Sequence, residues 1–222
     1  MKRVLSKEFF SLRLSLYLLS VALSFQVIVS LIGEYGWENV VLEGRFLEWF
    51  QVAVIAALWL GLLHLAWRFP SDQGLYLCLA ALTGFALVRE FNNSALYMTL
   101  LPRSWMKSTV AVLILSWIVT RYRAGLQESA RRLVRRSAFV MFVLGAFLVL
   151  VWAQVLAQRE LWNTMYDRLM EETLELAGYF LLLGGVLEEH WRLFHFAARG
   201  HESGREQSKG LRPARQAVHA EN

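Results

Sequence analysis

Long, unbroken apolar stretches are the feature that most restricts how this chain can fold. A helix of about 20 apolar residues crosses the roughly 30 Å of hydrocarbon in a bilayer. Six segments approach that length, over residues 14–32, 47–67, 75–91, 106–122, 138–157 and 174–196. Because their apolar runs are continuous and do not alternate with polar residues, they predict helices and not the strands of a membrane barrel. We expect an all-α, polytopic bundle of six transmembrane helices, spans one to six.

The composition of the chain agrees with a membrane location. Of its 222 residues, 56% are hydrophobic and 18% are charged, whereas soluble domains are about 45–50% apolar and about 25% charged. A single cysteine excludes a disulfide within the chain and a cysteine-based zinc site. We expect one transmembrane domain over residues 1–199 and a disordered, basic, cytoplasmic tail over residues 200–222.

The third span is too short if only its apolar residues are counted. The run from Leu75 to Val88 has 14 residues, which extend over about 21 Å at 1.5 Å per residue. The helix is therefore predicted either to continue through Arg89, Glu90 and Phe91 or to end in a re-entrant segment.

Lysine and arginine are distributed unevenly between the two sides of the predicted bundle. With six spans, 17 of them fall on the side of both termini and six on the other. Positive residues favour the cytoplasmic side, so both termini are predicted to be cytoplasmic, and the short charged loops favour a bacterial inner membrane. The basic face is expected to contact anionic lipids. The tail lacks aromatic side chains that stack on bases, so no nucleic-acid partner is expected.

Two polar segments are predicted to be helical outside the spans. Residues 127–136 are expected to form a basic extension of span five, and residues 158–173 a short amphipathic helix that leads into span six.

Small residues are expected where the spans pack together, because they let helix backbones approach closely in a membrane. They are Ala53, Ala57 and Gly61 on span two, Ala80 and Gly84 on span three, and Gly178, Gly184 and Gly185 on span six.

Polar and ionisable residues are predicted near the outer ends of three spans. They form a candidate site, called the Arg89 cluster, which consists of Glu48, Arg89, Glu90, Asn93, Glu172 and Glu175. An unpaired guanidinium at membrane depth is costly, so Glu172 or Glu175 is the expected partner of Arg89. Two interpretations are open. One is an outward-open polar pocket that binds a cation, a proton or a lipid headgroup; the other is a structural ion-pair network between spans three and six.

A second candidate site, called the His64 cluster, is predicted near the inner ends of spans two and six. It consists of His64, Glu188, His190, Arg192 and His195. Glu188 and Arg192 are four residues apart and can pair on one helix face. Three interpretations are open: interface residues whose charged ends reach the cytoplasm, a proton relay or metal site, and a haem held by facing imidazoles.

The chain has none of the common catalytic motifs. It lacks G-x-S-x-G, H-E-x-x-H, a Walker loop and C-x-x-C, and no motif assigns a catalytic residue, a cofactor or a metal. The first hypothesis is a non-enzymatic transporter-like protein or membrane-complex subunit, which would act as a homodimer or with another membrane subunit. The alternative is a membrane-embedded enzyme that acts on a lipid or isoprenoid headgroup.

Overall fold

Helices form every secondary-structure element in the described part of the computed structural model, which covers residues 2–40, 46–93, 104–152, 155 and 169–192. The elements are α1 (Lys2–Tyr35), α2 (Trp37–Val40), α3 (Phe46–Arg68), a 3-10 turn (Pro70–Asp72), α4 (Gln73–Asn93), α5 (Ser104–Val134), α6 (Ser137–Phe147), a π-helical turn (Leu148–Trp152) and α7 (169–192). The all-α prediction is confirmed for these residues.

Within the described residues, four helical segments are long and apolar enough to cross a membrane: Leu14–Tyr35, Phe46–Arg68, Pro70–Glu90 and Ser108–Val134. The segment predicted as span five is a shorter apolar helix in the described residues, Ser137–Val151. The helix predicted as span six, α7, has 24 residues, about 36 Å of helix, but it carries five glutamates. Residues 158–168 of the predicted amphipathic helix, and the predicted tail, lie outside the described residues.

The ends of α1 and α3 follow from backbone chemistry. Gly36 ends α1 with a φ of 81°, a conformation that glycine adopts without steric cost, and its N–H donates to the carbonyl oxygen of Ile32 at 3.0 Å. α3 ends two residues before Pro70, which has no N–H to continue the helix. The chain then turns directly into α4.

Two predictions about helix length have different outcomes. The third span does continue through Arg89 and Glu90, since α4 extends to Asn93. The prediction that residues 127–136 extend span five is wrong, because they continue α5 from span four as far as Val134. The break comes at Arg136, whose backbone is extended (φ −102°, ψ 151°), and α6 begins at the next residue. No proline interrupts residues 123–134, so the helix of span four continues through them.

Small residues bring several helices into close contact. A Cβ atom added at Gly145 in α6 would lie 2.7 Å from the carbonyl oxygen of Gly178 in α7, so the two backbones nearly touch. Added Cβ atoms would also meet neighbouring side chains at other glycines, among them Gly61 (Val186), Gly84 (Trp59), Gly184 (Tyr17) and Gly185 (Phe142). The packing prediction is wrong for Ala53 and Ala57, which are exposed because they lie on the other face of α3 from its buried stripe.

The chain divides into two compact units, Met1–Val186 and Leu187–Asn222. The first contains α1 to α6 and most of α7, and α4 packs against both α3 and α5. Of the second, the structure describes the end of α7, where Arg192 Nη2 lies 3.0 Å from Glu189 Oε2.

Candidate functional site

The Arg89 cluster lies where three helices meet. Glu48 is in the first turn of α3, Arg89 and Glu90 are near the end of α4, and Glu172 and Glu175 are near the start of α7. Hydrogen bonds join α7 to each of the other two helices at this point. Asn93, the sixth predicted member, is the last residue of α4, and its side chain lies outside what the structure describes.

Arg89 is bound by two carboxylates from two helices. Its Nε and Nη2 atoms donate to Glu90 Oε1 at 3.0 and 2.7 Å, and Nη2 also donates to Glu175 Oε1 at 3.4 Å. The two carboxylates are buried, whereas 44% of the arginine side chain is exposed. The guanidinium thus covers two buried acids at the edge of the helix junction, and its outer side faces away from the protein.

Gln51 fixes the position of Glu172 although the sequence did not mark it as a site residue. Its Nε2 donates both to the backbone carbonyl oxygen of Glu172, at 3.0 Å, and to Glu172 Oε2, at 2.7 Å. The Gln51 side chain is fully buried, and Glu48 lies one turn earlier on the same buried stripe of α3. Both bonds use the amide nitrogen, so the amide oxygen is not bound to Glu172, and it is buried as well.

Three buried polar atoms of α3 and α7 near this junction have no hydrogen-bond partner among the described residues. They are Gln51 Oε1, which needs a donor, and the hydroxyls of Thr173 and Tyr179. Tyr179 is 2% exposed and lies one turn after Glu175 in α7, within electrostatic reach of Glu175, Glu90 and Arg89. A buried polar atom without a partner costs about 1–3 kcal/mol. These oxygen atoms are able to accept a hydrogen bond or to coordinate a cation.

The residues of the His64 cluster are divided between the two units. His64 is exposed on α3, where its ring meets the edge of Trp67 at a centroid distance of 6.3 Å. Glu188, His190 and Arg192 lie in the second unit, and His195 lies outside the described residues. Arg192 pairs with Glu189, three residues earlier in α7, at 3.0 Å.

A further polar group, here called the Asp72 hub, was missed by the sequence analysis. Asp72 is buried in the 3-10 turn between α3 and α4, and its two oxygens accept from Arg132 Nη2 at 2.6 Å and Arg136 Nη2 at 2.9 Å. Arg132 Nη2 also donates to Ser129 Oγ, and Ser129 Oγ donates to the carbonyl oxygen of Ser71. The hub fastens the basic end of α5 to the turn.

Residues of α4 line cavities in the described part of the structure, two of which have a bearing on the polar groups above. The first, about 320 Å³, has an almost entirely apolar lining from α3, α4 and α5 that includes Trp59, Gly84, Val88 and Ile114. The second, about 210 Å³, lies near the Asp72 hub between the 3-10 turn and α5, and it is lined by both polar and apolar atoms. The apolar cavity reaches the residue that precedes Arg89.

Histidine, cysteine, aspartate and glutamate side chains in the described residues form no group of three or more that could hold a metal ion. The polar chemistry of the Arg89 cluster is therefore that of carboxylate, amide and phenol oxygens around one guanidinium. No protein family, curated protein or solved structure was found to match this chain.

Proposed function

We propose that this protein is a six-span integral membrane protein of a bacterial inner membrane that binds a small cation at the Arg89 cluster. Both termini are cytoplasmic in this proposal, α6 with its π-helical turn provides span five, and α7 provides span six. The protein acts as a transporter-like protein or as the ion-binding subunit of a membrane complex. It works either as a homodimer or together with another membrane subunit.

The orientation of Gln51 carries the proposal. Its amide nitrogen is bound to Glu172, and its buried amide oxygen has no hydrogen-bond partner among the described residues. A cation would coordinate that oxygen together with neighbouring carboxylate oxygens, which are the ligands that hard cations prefer. The Tyr179 oxygen, also buried and unpartnered in the described structure, offers a further ligand of the same type.

The surroundings of the amide oxygen favour positive charge. The described residues of the cluster contribute four carboxylates and one guanidinium. Because three helices converge there, a bound cation would interact with α3, α4 and α7 at once. Movement of α7 relative to α4 would then change the affinity for the ion, which is what a transport cycle requires.

The test measures stabilisation by cations of the purified full-length protein in detergent. Sodium, potassium, methylammonium and magnesium chlorides are added at constant ionic strength, and the thermal unfolding temperature is recorded. A cation at 100 times its Kd should stabilise the folded state by about 2.7 kcal/mol. Gln51→Met removes the amide oxygen at similar volume and should abolish the cation-dependent shift. Flux of the same cation across proteoliposome membranes should also fall in the Gln51→Met variant.

Gln26→Met is the matched control, because Gln26 is exposed on α1. It should retain the full shift. The proposal is wrong if no cation stabilises the wild-type protein, or if Gln51→Met responds to the cation as the wild type does.

The apolar cavity favours one second candidate, a membrane-embedded enzyme that acts on a lipid or isoprenoid headgroup. A chain held between α3, α4 and α5 would bring its headgroup to the end of α4 where Val88 is followed by Arg89. There the carboxylates of Glu90 and Glu175 could serve as acid and base. This candidate predicts lipid turnover that is lost in Glu175→Gln and also in Gly84→Leu, which fills the cavity.

A further inference from the structure

A cavity lined by both polar and apolar atoms lies at the end of α4 that is remote from Arg89. It has a volume of about 210 Å³ and lies between the 3-10 turn and α5. The residues that define it are Ser71, Gly74, Arg121, Tyr122, Gly125 and Ser129. Because the 3-10 turn connects two helices that are each long enough to cross a membrane, the cavity would lie at a membrane boundary, where lipid headgroups are found.

Two glycines give the cavity its shape. At Gly74 an added Cβ atom would lie 2.5 Å from Tyr122 Cβ, so α4 and α5 nearly touch at one end of the cavity. At Gly125, three residues further along α5, an added Cβ atom would meet nothing within 4 Å. A larger side chain at position 125, which lines the cavity, therefore has open space beside it.

Arg121 provides the charge at the cavity wall. It is exposed, its guanidinium lies 5.7 Å from the centroid of the Tyr122 ring, and no carboxylate partner for it is present among the described residues. The nearest acid of the turn, Asp72, is already held by Arg132 and Arg136. The Ser71 carbonyl oxygen is likewise occupied by Ser129 and Arg132. Among the lining residues, Arg121 carries a guanidinium and the exposed Ser71 a hydroxyl, and each is able to donate to a ligand.

We propose that this cavity binds the phosphate group of an anionic phospholipid. A guanidinium donates charge-assisted hydrogen bonds to phosphate oxygens, often in pairs, and a serine hydroxyl adds another donor. The nearby arginines Arg123 and Arg131 of α5, and Arg135 just after it, attract anionic lipids to this end of the protein. The site proposed here does not depend on cation binding at the Arg89 cluster, which lies at the other end of α4.

The experiment is native mass spectrometry of the full-length protein in detergent with added phosphatidylglycerol or phosphatidylcholine. The wild type should bind the anionic lipid more tightly. Arg121→Gln should weaken phosphatidylglycerol binding about tenfold or more, because a hydrogen-bonded charge is lost. Arg123→Gln, the matched control, removes an equal charge that does not line the cavity, and it should weaken binding by no more than about fivefold. Gly125→Leu fills the cavity without a charge change and should match Arg121→Gln.

Helix content and unfolding temperature of each variant are measured alongside, so that loss of the fold is distinguished from loss of the site. Equal losses in Arg121→Gln and Arg123→Gln, or unchanged binding in a folded Gly125→Leu, would show diffuse attraction and overturn the proposal. A third arm adds inorganic phosphate at millimolar concentration. If it stabilises the protein through Arg121 and displaces the lipid, the ligand is free phosphate and the assignment to a phospholipid is overturned.

Discussion

Asp72 and Arg132 form a bonded pair, 2.6 Å apart between Oδ1 and Nη2, although 60 residues separate them along the chain. Arg136 binds the other oxygen of the same carboxylate, and its Nη1 also donates to the buried hydroxyl of Tyr76 at 3.3 Å. One carboxylate thus sets the position of the arginine-rich end of α5.

Asp72→Asn should destabilise the protein because it leaves two arginines beside a buried amide. We expect a loss of about 2 kcal/mol, below the value for a fully buried pair since Arg132 is partly exposed. This loss of stability is measured by thermal unfolding of the protein in detergent. Glu128→Gln is the control: that carboxylate is exposed and 3.6 Å from Arg132, and its loss should cost no more than about 0.5 kcal/mol. Similar losses in both variants would contradict a structural role for the hub.

Arg89 and Glu175 should be energetically coupled. Arg89→Gln leaves the buried carboxylates of Glu90 and Glu175 without their common donor and should cost about 1–2 kcal/mol, given the partial exposure of the arginine. Glu175→Gln in the Arg89→Gln background should recover part of that loss. A double-mutant cycle of unfolding free energies provides the measurement. If the unfolding free-energy changes of the two substitutions simply add, the 3.4 Å contact between Arg89 and Glu175 contributes nothing to stability.

The contact between α6 and α7 should not tolerate a side chain at Gly145. Gly145→Val places carbon atoms against the backbone carbonyl oxygen of Gly178, and overpacking of this kind costs about 1–3 kcal/mol. Gly125→Ala, where an added Cβ meets nothing, should instead gain up to about 1 kcal/mol from helix propensity. Unfolding temperatures of the two variants should therefore shift in opposite directions, and a neutral Gly145→Val would disprove the close approach.

The proposed orientation can be tested with cysteine labelling, because Cys78 is the single native cysteine. In a Cys78→Ala background, Glu34→Cys and Arg123→Cys place one thiol at each predicted side, both at exposed positions. A membrane-impermeant maleimide applied to intact cells should label the first and not the second, whereas both should react after the cells are opened. The reverse pattern would invert the proposed topology.

The helical elements and part of the Arg89 cluster could be predicted because each follows from local rules. The length rule required span three to continue past Val88, and α4 does so. The cost of an unpaired guanidinium pointed to Glu172 or Glu175 as the partner of Arg89, and the structure shows Glu175. Glu90 was missed as the closest partner, because adjacent residues on a helix point about 100° apart and only long, flexible side chains close that gap.

The Asp72 hub and Gln51 could not be predicted because their partners are distant in the sequence. Pro70-Ser71-Asp72 has the composition of an ordinary turn, and the arginines of α5 were already explained by the preference of positive residues for the cytoplasmic side. Gln51 lies within an apolar run, with no charge to mark it. The continuity of α5 beyond span four was missed because residues 127–136 fit either neighbouring span equally well.

The unbroken course of α5 has a mechanical consequence. Its 31 residues form one rod of about 46 Å, longer than the hydrocarbon layer, so its apolar and arginine-bearing halves must tilt together. The ion pair between Asp72 and Arg132 holds this helix against the 3-10 turn at one point. A small rotation of the apolar half of α5 would therefore turn its basic half through the same angle. A molecule bound to the arginines of the basic half would be displaced by this movement.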